Sequence, residues 1–594
     1  MAENFKQTED KETDKRKPKF WFDEIENASK RERSWRNEAE DNVWIYRSIQ
    51  PAKKTSVDYE KDFGLRYNIM FSNTELLKSV LFTNFPKPEI NRRWSRKTEK
   101  DEVLQTLYRT VGEVSERAVS WVFDEQRANH KMKKAIKDYL IAGRGVLWVN
   151  YEPTISVDEN ETEELTDQKI NIDYVYWQDY RQSWARTWND VWWVARRHYL
   201  TRKDLREQFG SKGSKVQLTH APTEMNTLDN NDDETHPTDK QVAEVWEIWD
   251  KEDEQIYFIS SGYKDKFIDS REVPVDLEGF FPTPKPLQNI ETSDDNAPVP
   301  DYRVYKEQAY QLSIICERIS KLTEVLKARF LYPNKLADKI EDFSSLEDGE
   351  GLGVDIADIE IAGGLKNAVF TMPMQEPMQV ILGLQQQKQQ LLQEIYEITG
   401  IADIMRSVSN PQETATAQKI KGKFGTYRLQ ERQQTVQYYI KDLIRIITEI
   451  VCEHFTADKL AEISGIDLPT DEEKAKLILQ GQQEQVDKEL NDRLALPTWE
   501  QVLKILQSDK LRSYTIDIET DATAFDDDQE NKQLATEFIG SSLQSLGNML
   551  PQAMQVPELL PLSRDLILFG IKQFKIGRTL EESFENSFNN LEQK

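Results

Sequence analysis

Between positions 301 and 330, Leu312, Ile315, Ile319, Leu322 and Leu326 recur at three-four spacing, which predicts one helix with an apolar seam, ended by Pro333. A second helical pattern begins after Pro377 and carries Ile381, Leu384, Leu391, Ile395 and Ile398. Its middle is the polar run Gln385, Gln386, Gln387, Lys388, Gln389 and Gln390, which an ordinary core does not accept. A third helix is predicted from about Glu413 to Phe455, with Val436, Ile440, Leu443, Ile447 and Ile450 holding the seam of its second half. At about 1.5 Å per residue such a helix is roughly 65 Å long. That exceeds a typical domain diameter, so neighbouring subunits are expected to cover part of it.

Upstream, Trp21, Phe22, Ile25, Trp35, Val43, Trp44 and Tyr46 mark helical segments packed on aromatics, after a charged tail to about Lys19. Helices are predicted at 68–82, ended by Pro86 and Pro88, and at 100–123 and 129–142. Gly143 and Gly145 then turn the chain into a strand, Val146 to Tyr151. Short strands follow around Val175–Trp177, Val191–Val194, Val245–Trp249 and Ile256–Ile259. A short helix at 201–209 has a threonine cap and Gly210 just past its end. The segment 229–239 reads as an acidic loop. Pro282, Pro284, Pro286, Pro298 and Pro300 predict an extended linker without regular structure. Beyond Phe455 come shorter helices, a strand at 514–519 and a helical carboxy-terminal segment after Asp526, Asp527 and Asp528. The fold class is α+β, predominantly helical.

Composition narrows the function classes. A chain of 594 residues points to several modules, and a net charge of −27 argues against general, tight nucleic-acid binding. Cys316 and Cys452 lie on helix seams and read as reduced core residues. The amino terminus lacks an apolar secretory core, and no run of about 18 apolar residues occurs, so no membrane span is expected. There is no phosphate-binding loop of the G-x-x-x-x-G-K-[ST] form. Gly143-Arg144-Gly145 precedes a strand where a dinucleotide loop would follow one, and reads as a tight helix-to-strand turn. The five histidines are dispersed, and no metal is expected. Asp526 to Asp528 could hold a hard cation, but no calcium-loop spacing surrounds them, and they read as the capping start of a helix.

Charge placement is more informative. From Asp403 to Arg432 the cations Arg406, Lys419, Lys421, Lys423, Arg428 and Arg432 outnumber Asp403, Glu413 and Glu431. This basic strip adjoins Ser407-Val408-Ser409-Asn410-Pro411, a loop by its small and polar residues. The strip is either a solvated or subunit-paired helix face, or a contact for a phosphate backbone in a channel. Between the first two helices, 334–371 is strand-and-loop in type and acidic through Glu341, Asp342, Glu347, Asp348 and Glu350, with Gly349, Gly351, Gly353, Gly363 and Gly364 allowing tight turns. Two helices of similar length that run out to a small β-type head and return are a stalk with a tip.

In ordered organisation across nearly the whole chain, the sequence resembles the portal proteins, the head-to-tail connectors of tailed bacteriophages. The resemblance is carried by the proline-rich approach Phe281 to Asp301, the helix containing Ser313 to Leu326, the glycine-rich insert, and Ile398-Thr399-Gly400-Ile401-Ala402-Asp403-Ile404-Met405-Arg406 followed by Glu413-Thr414-Ala415-Thr416-Ala417-Gln418. It implies a homo-oligomeric ring, usually a dodecamer, at one capsid vertex of the virion, assembled in the host cytoplasm. Such a ring conducts double-stranded DNA during genome packaging and ejection. Its partners would be the terminase, head-completion or tail adaptor proteins, and the major capsid and scaffolding proteins. It would need no cofactor and have no catalytic residue.

The resemblance divides the chain into a disordered tail (1–19), a wing (20–300), stem helix 1 (301–332), a clip (333–375), stem helix 2 (376–401), a tunnel loop (402–412), a long wing helix (413–456), the rest of the wing (457–525) and a crown (526–594). Arg406, Ser407, Ser409, Asn410, Lys419, Lys421 and Lys423 would then face DNA at the tunnel loop. Gln386, Gln389 and Gln390 would face the stem channel, and Glu341, Asp342, Glu347, Asp348 and Glu350 would dock clip partners. The glutamines would hydrogen-bond either between subunits or to channel water. An acidic wall with few cations suits DNA that must pass without sticking, and seams with polar middles suit a stem whose neighbours are copies of itself, joined by a heterologous interface that closes into a ring by rotation. Two further classes compete: a non-viral helical scaffold that binds other proteins, and a metal-dependent nuclease built on Asp526 to Asp528.

Overall fold

Trp21, Ile25 and Ala28 recur at helical spacing, and in the computed structural model they form the buried face of α1 (Pro18–Arg31). The structure describes residues 17–48, 67–86, 88–92, 102–157, 163–220, 241–326, 330–331, 370–371, 375–401, 415–481, 496–508 and 514–518. After α1 come α2 (Arg33–Tyr46), α3 (Ile69–Leu81), β1 (Pro88–Arg92), α4 (Glu102–Glu125), α5 (Ala128–Ile141), β2 (Arg144–Val157) and β3 (Glu163–Val175). Next are β4 (Tyr180–Gln182), β5 (Trp193–Leu200), α6 (Arg202–Gly213), β6 (Ala243–Asp250), β7 (Gln255–Ser260), β8 (Asp269–Glu272) and β9 (Leu287–Gln288). The chain continues with α7 (Asp301–Val325), β10 (Phe330–Leu331), β11 (Phe370–Thr371), α8 (Gln375–Thr399) and α9 (Ala415–His454). It closes with α10 (Ala457–Ser464), α11 (Asp471–Gly481), α12 (Trp499–Ser508) and β12 (Tyr514–Ile518). The fold is mixed α and β, with helix the larger share of the described residues.

A long hairpin, β2 against β3, is the hinge between two cores. Successive strand residues point to opposite faces. Leu147, Val149, Ile170 and Ile172 therefore join α4, α5 and the second half of α9 in the largest core. Val146, Trp148 and Val175 face the other way, onto Val194, Trp249 and Ile256 of the five-stranded antiparallel sheet β4-β5-β6-β7-β8. The sheet's opposite face, with Trp193, Ala195, Trp246, Ile248 and Ile259, is covered by α1. Both faces are thus buried within one chain.

Local signals explain the joints. The Asn68 side chain accepts from Phe71 N and starts α3. Thr201 and Asp204 form a capping box on α6, and Gly210, at φ 56, interrupts that helix. Gly143, at φ 95, makes the tight turn expected between α5 and β2. At Gly145 an added Cβ would lie 2.2 Å from the Ala135 carbonyl oxygen, so only glycine lets β2 lie so close to α5.

Several expectations change. The proline-rich segment 281–300 is extended, yet it is packed structure rather than a linker. Val149 N donates to the Pro282 carbonyl at 2.8 Å, Arg144 and Gly145 pair with Gln288 and Leu287, and Ile290 bridges Val299. Proline lacks a donor, but its carbonyl still accepts. The strand read at Val175 is the end of a much longer one. Pro88, read as a helix stop, opens β1, which pairs antiparallel with β12. The helix predicted to reach 330 ends at Val325, and the one predicted to start after Pro377 starts at Gln375, with proline tolerated in its first turn. The tail before position 17, the loop at 229–239, Pro333 and Asp526 to Asp528 lie outside the described residues.

Candidate functional site

α7 and α8 are the paired helices foreseen from their seams, each of 25 residues. They run antiparallel: β10 and β11, beyond one end of the pair, pair Phe330 with Thr371 and Leu331 with Phe370. At the opposite end Tyr302, Tyr305, Ala309 and Leu312 of α7 meet Ile395, Leu391, Leu392, Tyr396 and Ile398 of α8. Ile45, Ile69, Met70 and Ile141 close the same cluster, which roots the arm between α2, α3 and α5. Asp301, in the first turn of α7, accepts from Arg432 of α9 at 2.6 Å. The carboxylate complements the helix amino terminus as well as the guanidinium. Tyr305 departs from helical geometry (φ −123°, ψ 15°), a break one turn into α7.

Away from the root the seam thins. Leu312 is fully buried, whereas Ile319, Leu322 and Leu326 are only half-buried. On α8, Ile381 and Leu384 are buried while their neighbours Met378, Val380 and Leu382 are 58%, 47% and 55% exposed. The polar run follows: Gln385, Gln386, Gln387, Gln389 and Gln390 are exposed, and Lys388 places its ammonium 4.9 Å from the Tyr67 ring centre. Gln386, Gln389, Gln390 and Gln393 share one helix face by their three-four spacing, and all are exposed. An outward surface that is apolar near the tip and glutamine-rich along its middle is suited to cover by another copy or by water.

α9 carries the third seam. Its second half is buried throughout, with Val436, Tyr439, Ile440, Leu443, Ile444, Ile447, Ile450, Val451 and Cys452 all in the main core. The Tyr439 hydroxyl accepts from Leu147 N at 2.6 Å and fixes β2 to this helix. Cys452 is buried and Cys316 half-buried, and both are free thiols; burial pushes the Cys452 thiol up to about 12. Glu449 and Glu453 accept from the backbone N–H groups of Glu278 and Asp276, each at 3.1 Å, and tie the 275–280 segment to the helix. Burial pushes the Glu449 carboxyl up to about 7 despite the adjacent Arg445.

Of the predicted site residues, Gln386, Gln389 and Gln390 are brought together on one exposed face. Lys419, Lys421 and Lys423 lie in the first turns of α9. Arg406, Ser407, Ser409 and Asn410, with Glu341, Asp342, Glu347, Asp348 and Glu350, lie outside the described residues. Among the described residues no group of three or more His, Cys, Asp or Glu could hold a metal. No helix among them is long and apolar enough to cross a membrane.

The sequence reading missed the buried charges. Arg196 on β5 reaches its cross-strand partner Glu247 on β6 at 2.8 Å, Asp173 on β3 at 3.0 Å and Asn150 on β2 at 2.9 Å. Its guanidinium also lies 4.8 Å from the Trp148 ring centre. Burial would raise the Glu247 carboxyl, but Arg196 and His198 hold it well below the carboxylate range. The signal was available: Glu247 sits between Trp246 and Ile248 in a strand whose both faces are apolar. Models of known protein families and the curated proteins give no match to this chain.

Proposed function

We propose that the chain is the subunit of a portal-type ring, a non-enzymatic conduit for double-stranded DNA at a capsid vertex. The observation that carries this reading is the arm: two antiparallel helices rooted in the core, on whose outer face Met378, Val380 and Leu382 are left exposed among the described residues. A ring supplies that cover, because the outer face of each arm meets the next copy by rotation. Met378, Val380 and Leu382 then form apolar contacts between neighbouring arms, while the glutamine face serves the channel or the joint between subunits.

The net charge of −27 fits the same reading. Each phosphate neutralised by Lys or Arg tightens binding through counterion release, so a mostly acidic conduit lets DNA slide. The cations from Arg406 to Lys423 supply the few points of contact. Terminase provides the ATP energy and docks at the acidic 333–375 segment, as tail adaptors do later. The test is Arg406→Ala in a packaging reaction with the assembled particle. Altered packaging or retention of DNA with ring assembly intact supports the assignment; loss of the ring itself in that variant overturns it.

A further inference from the structure

Three arginines around Glu32, at the end of α1, are nine-tenths or more buried: Arg36, Arg144 and Arg181, at 9%, 0% and 9% exposure. Glu32 accepts from Arg36 and, at 2.8 Å, from Arg144. Arg144 also donates to the Asn296 carbonyl at 3.2 Å, and its guanidinium lies 4.5 Å from the Trp35 ring centre. Arg181 donates to Ser29 Oγ and to the Gln178 and Tyr180 carbonyls, all uncharged acceptors. One carboxylate therefore serves three buried guanidinium groups. Burial would raise the Glu32 carboxyl, yet Arg144 and Arg36 carry it down to about 2. Burial and then Arg36 pull Arg181 down to about 9. Both directions describe a cluster short of negative charge.

Among the described residues four buried nitrogens here have no hydrogen-bond acceptor: Arg144 Nε, Arg144 Nη1, Arg36 Nε and Asn296 Nδ2. A half-open cleft lies at Asn296 and Glu32, where Arg31, Gln182, Ser183 and Asp295 line it together with Ala28, Trp184 and Ala185. The enclosed part has room for only a few atoms, which excludes a nucleotide. Arg31, Arg36, Arg144 and Arg181 against Glu32 and Asp295 leave the positive charges in excess.

We infer that this cleft binds one small oxyanion, a carboxylate or a phosphate, which meets Asn296 Nδ2 and Arg31 at the wall and is held there by the field of the buried arginines. Burying cations without a counter-charge is costly, so the ligand stabilises the fold as it binds. The inference concerns the body of the chain and is independent of the arm.

The full chain is heated in acetate, inorganic phosphate or chloride at matched ionic strength. The expected result is a melting temperature that rises with the logarithm of acetate or phosphate concentration beyond the chloride control, and which of the two acts tells carboxylate from phosphate. Asn296→Asp is nearly isosteric and places the missing charge in the protein. It should raise the melting temperature without added anion and abolish the anion response. Asn296→Ala should weaken apparent affinity about tenfold, read by titration calorimetry. Identical curves in all three salts overturn the inference. So does an Asn296→Asp variant that melts lower and keeps the wild-type anion response.

Discussion

The strand-rich body and the two-helix arm solve the same problem in opposite ways. In the body the β2–β3 hairpin presents one face to the helical core and the other to the five-stranded sheet, whose far side α1 covers. Its buried Arg196 is answered by Glu247, Asp173 and Asn150. The arm is packed most fully at its root, around Tyr305, Leu312 and Ile395. Farther out, Met378, Val380 and Leu382 remain exposed. Among the described residues the strands of the body are covered on both faces, whereas the outer stretch of α8 keeps apolar side chains exposed.

Substitutions that separate the two regions test this contrast. The largest effect should come from the body. Glu247→Ala leaves the Arg196 guanidinium without its principal counter-charge, and loss of one partner of a buried pair costs about 3–5 kcal/mol, measured by denaturant unfolding of the isolated chain. Next is the root of the arm, where Ile395→Ala removes a fully buried side chain and should cost about 2–5 kcal/mol. The same truncation at exposed Leu382 should change stability by less than about 0.5 kcal/mol. If Leu382→Ala proved as costly as Ile395→Ala, the arm would be packed within the chain along its whole length.

The pH profile reads the body separately. Glu32 is held at about 2 in the folded protein against its ordinary 4.5. It favours the folded state above pH 4.5, and that contribution is lost as pH falls from 4.5 towards 2. Glu449 runs the other way. Raised from 4.5 to about 7, it favours the folded state fully below pH 4.5, and the contribution drains away as pH rises through 7. Glu449→Gln should therefore flatten the decline between pH 4.5 and 7 without altering the acid limb, as seen by denaturation at a series of pH values. An unchanged slope between those limits would show that Glu449 is not titrating there.

The smallest effect on the monomer carries the largest consequence for assembly. Met378→Asp with Leu382→Asp should leave the unfolding midpoint of the isolated chain almost unchanged, because both side chains are already exposed. Ring yield in sedimentation should fall sharply. Equal ring yield from this variant and the wild type would remove the outer face of α8 from the subunit interface.

Much of this contrast was legible in the sequence. Three-four spacing located α7, α8 and α9, and the polar run from Gln385 to Gln390 marked a stretch of α8 whose glutamines are exposed. Caps at Asn68 and Thr201 and the turn at Gly143 behaved as local chemistry requires. What stayed hidden depends on residues far apart in the chain. The pairing of β1 with β12 joins positions near 90 and 516, and no local pattern announces it. The prolines at 282–300 broke regular periodicity, which read as a linker, although the Pro282 carbonyl accepts from Val149 N of β2 and Pro298 lies close beside Gly143. The buried arginines were passed over because charge is read as surface until a partner such as Glu32 or Glu247 is known.

The central claim is that copies of this chain close into a ring around an open axis. Electron microscopy of the purified full chain, with native mass measurement on the same sample, tests it most directly. The account predicts closed rings of one subunit number with an axial hole wide enough for duplex DNA. A compact dimer with no channel would contradict it.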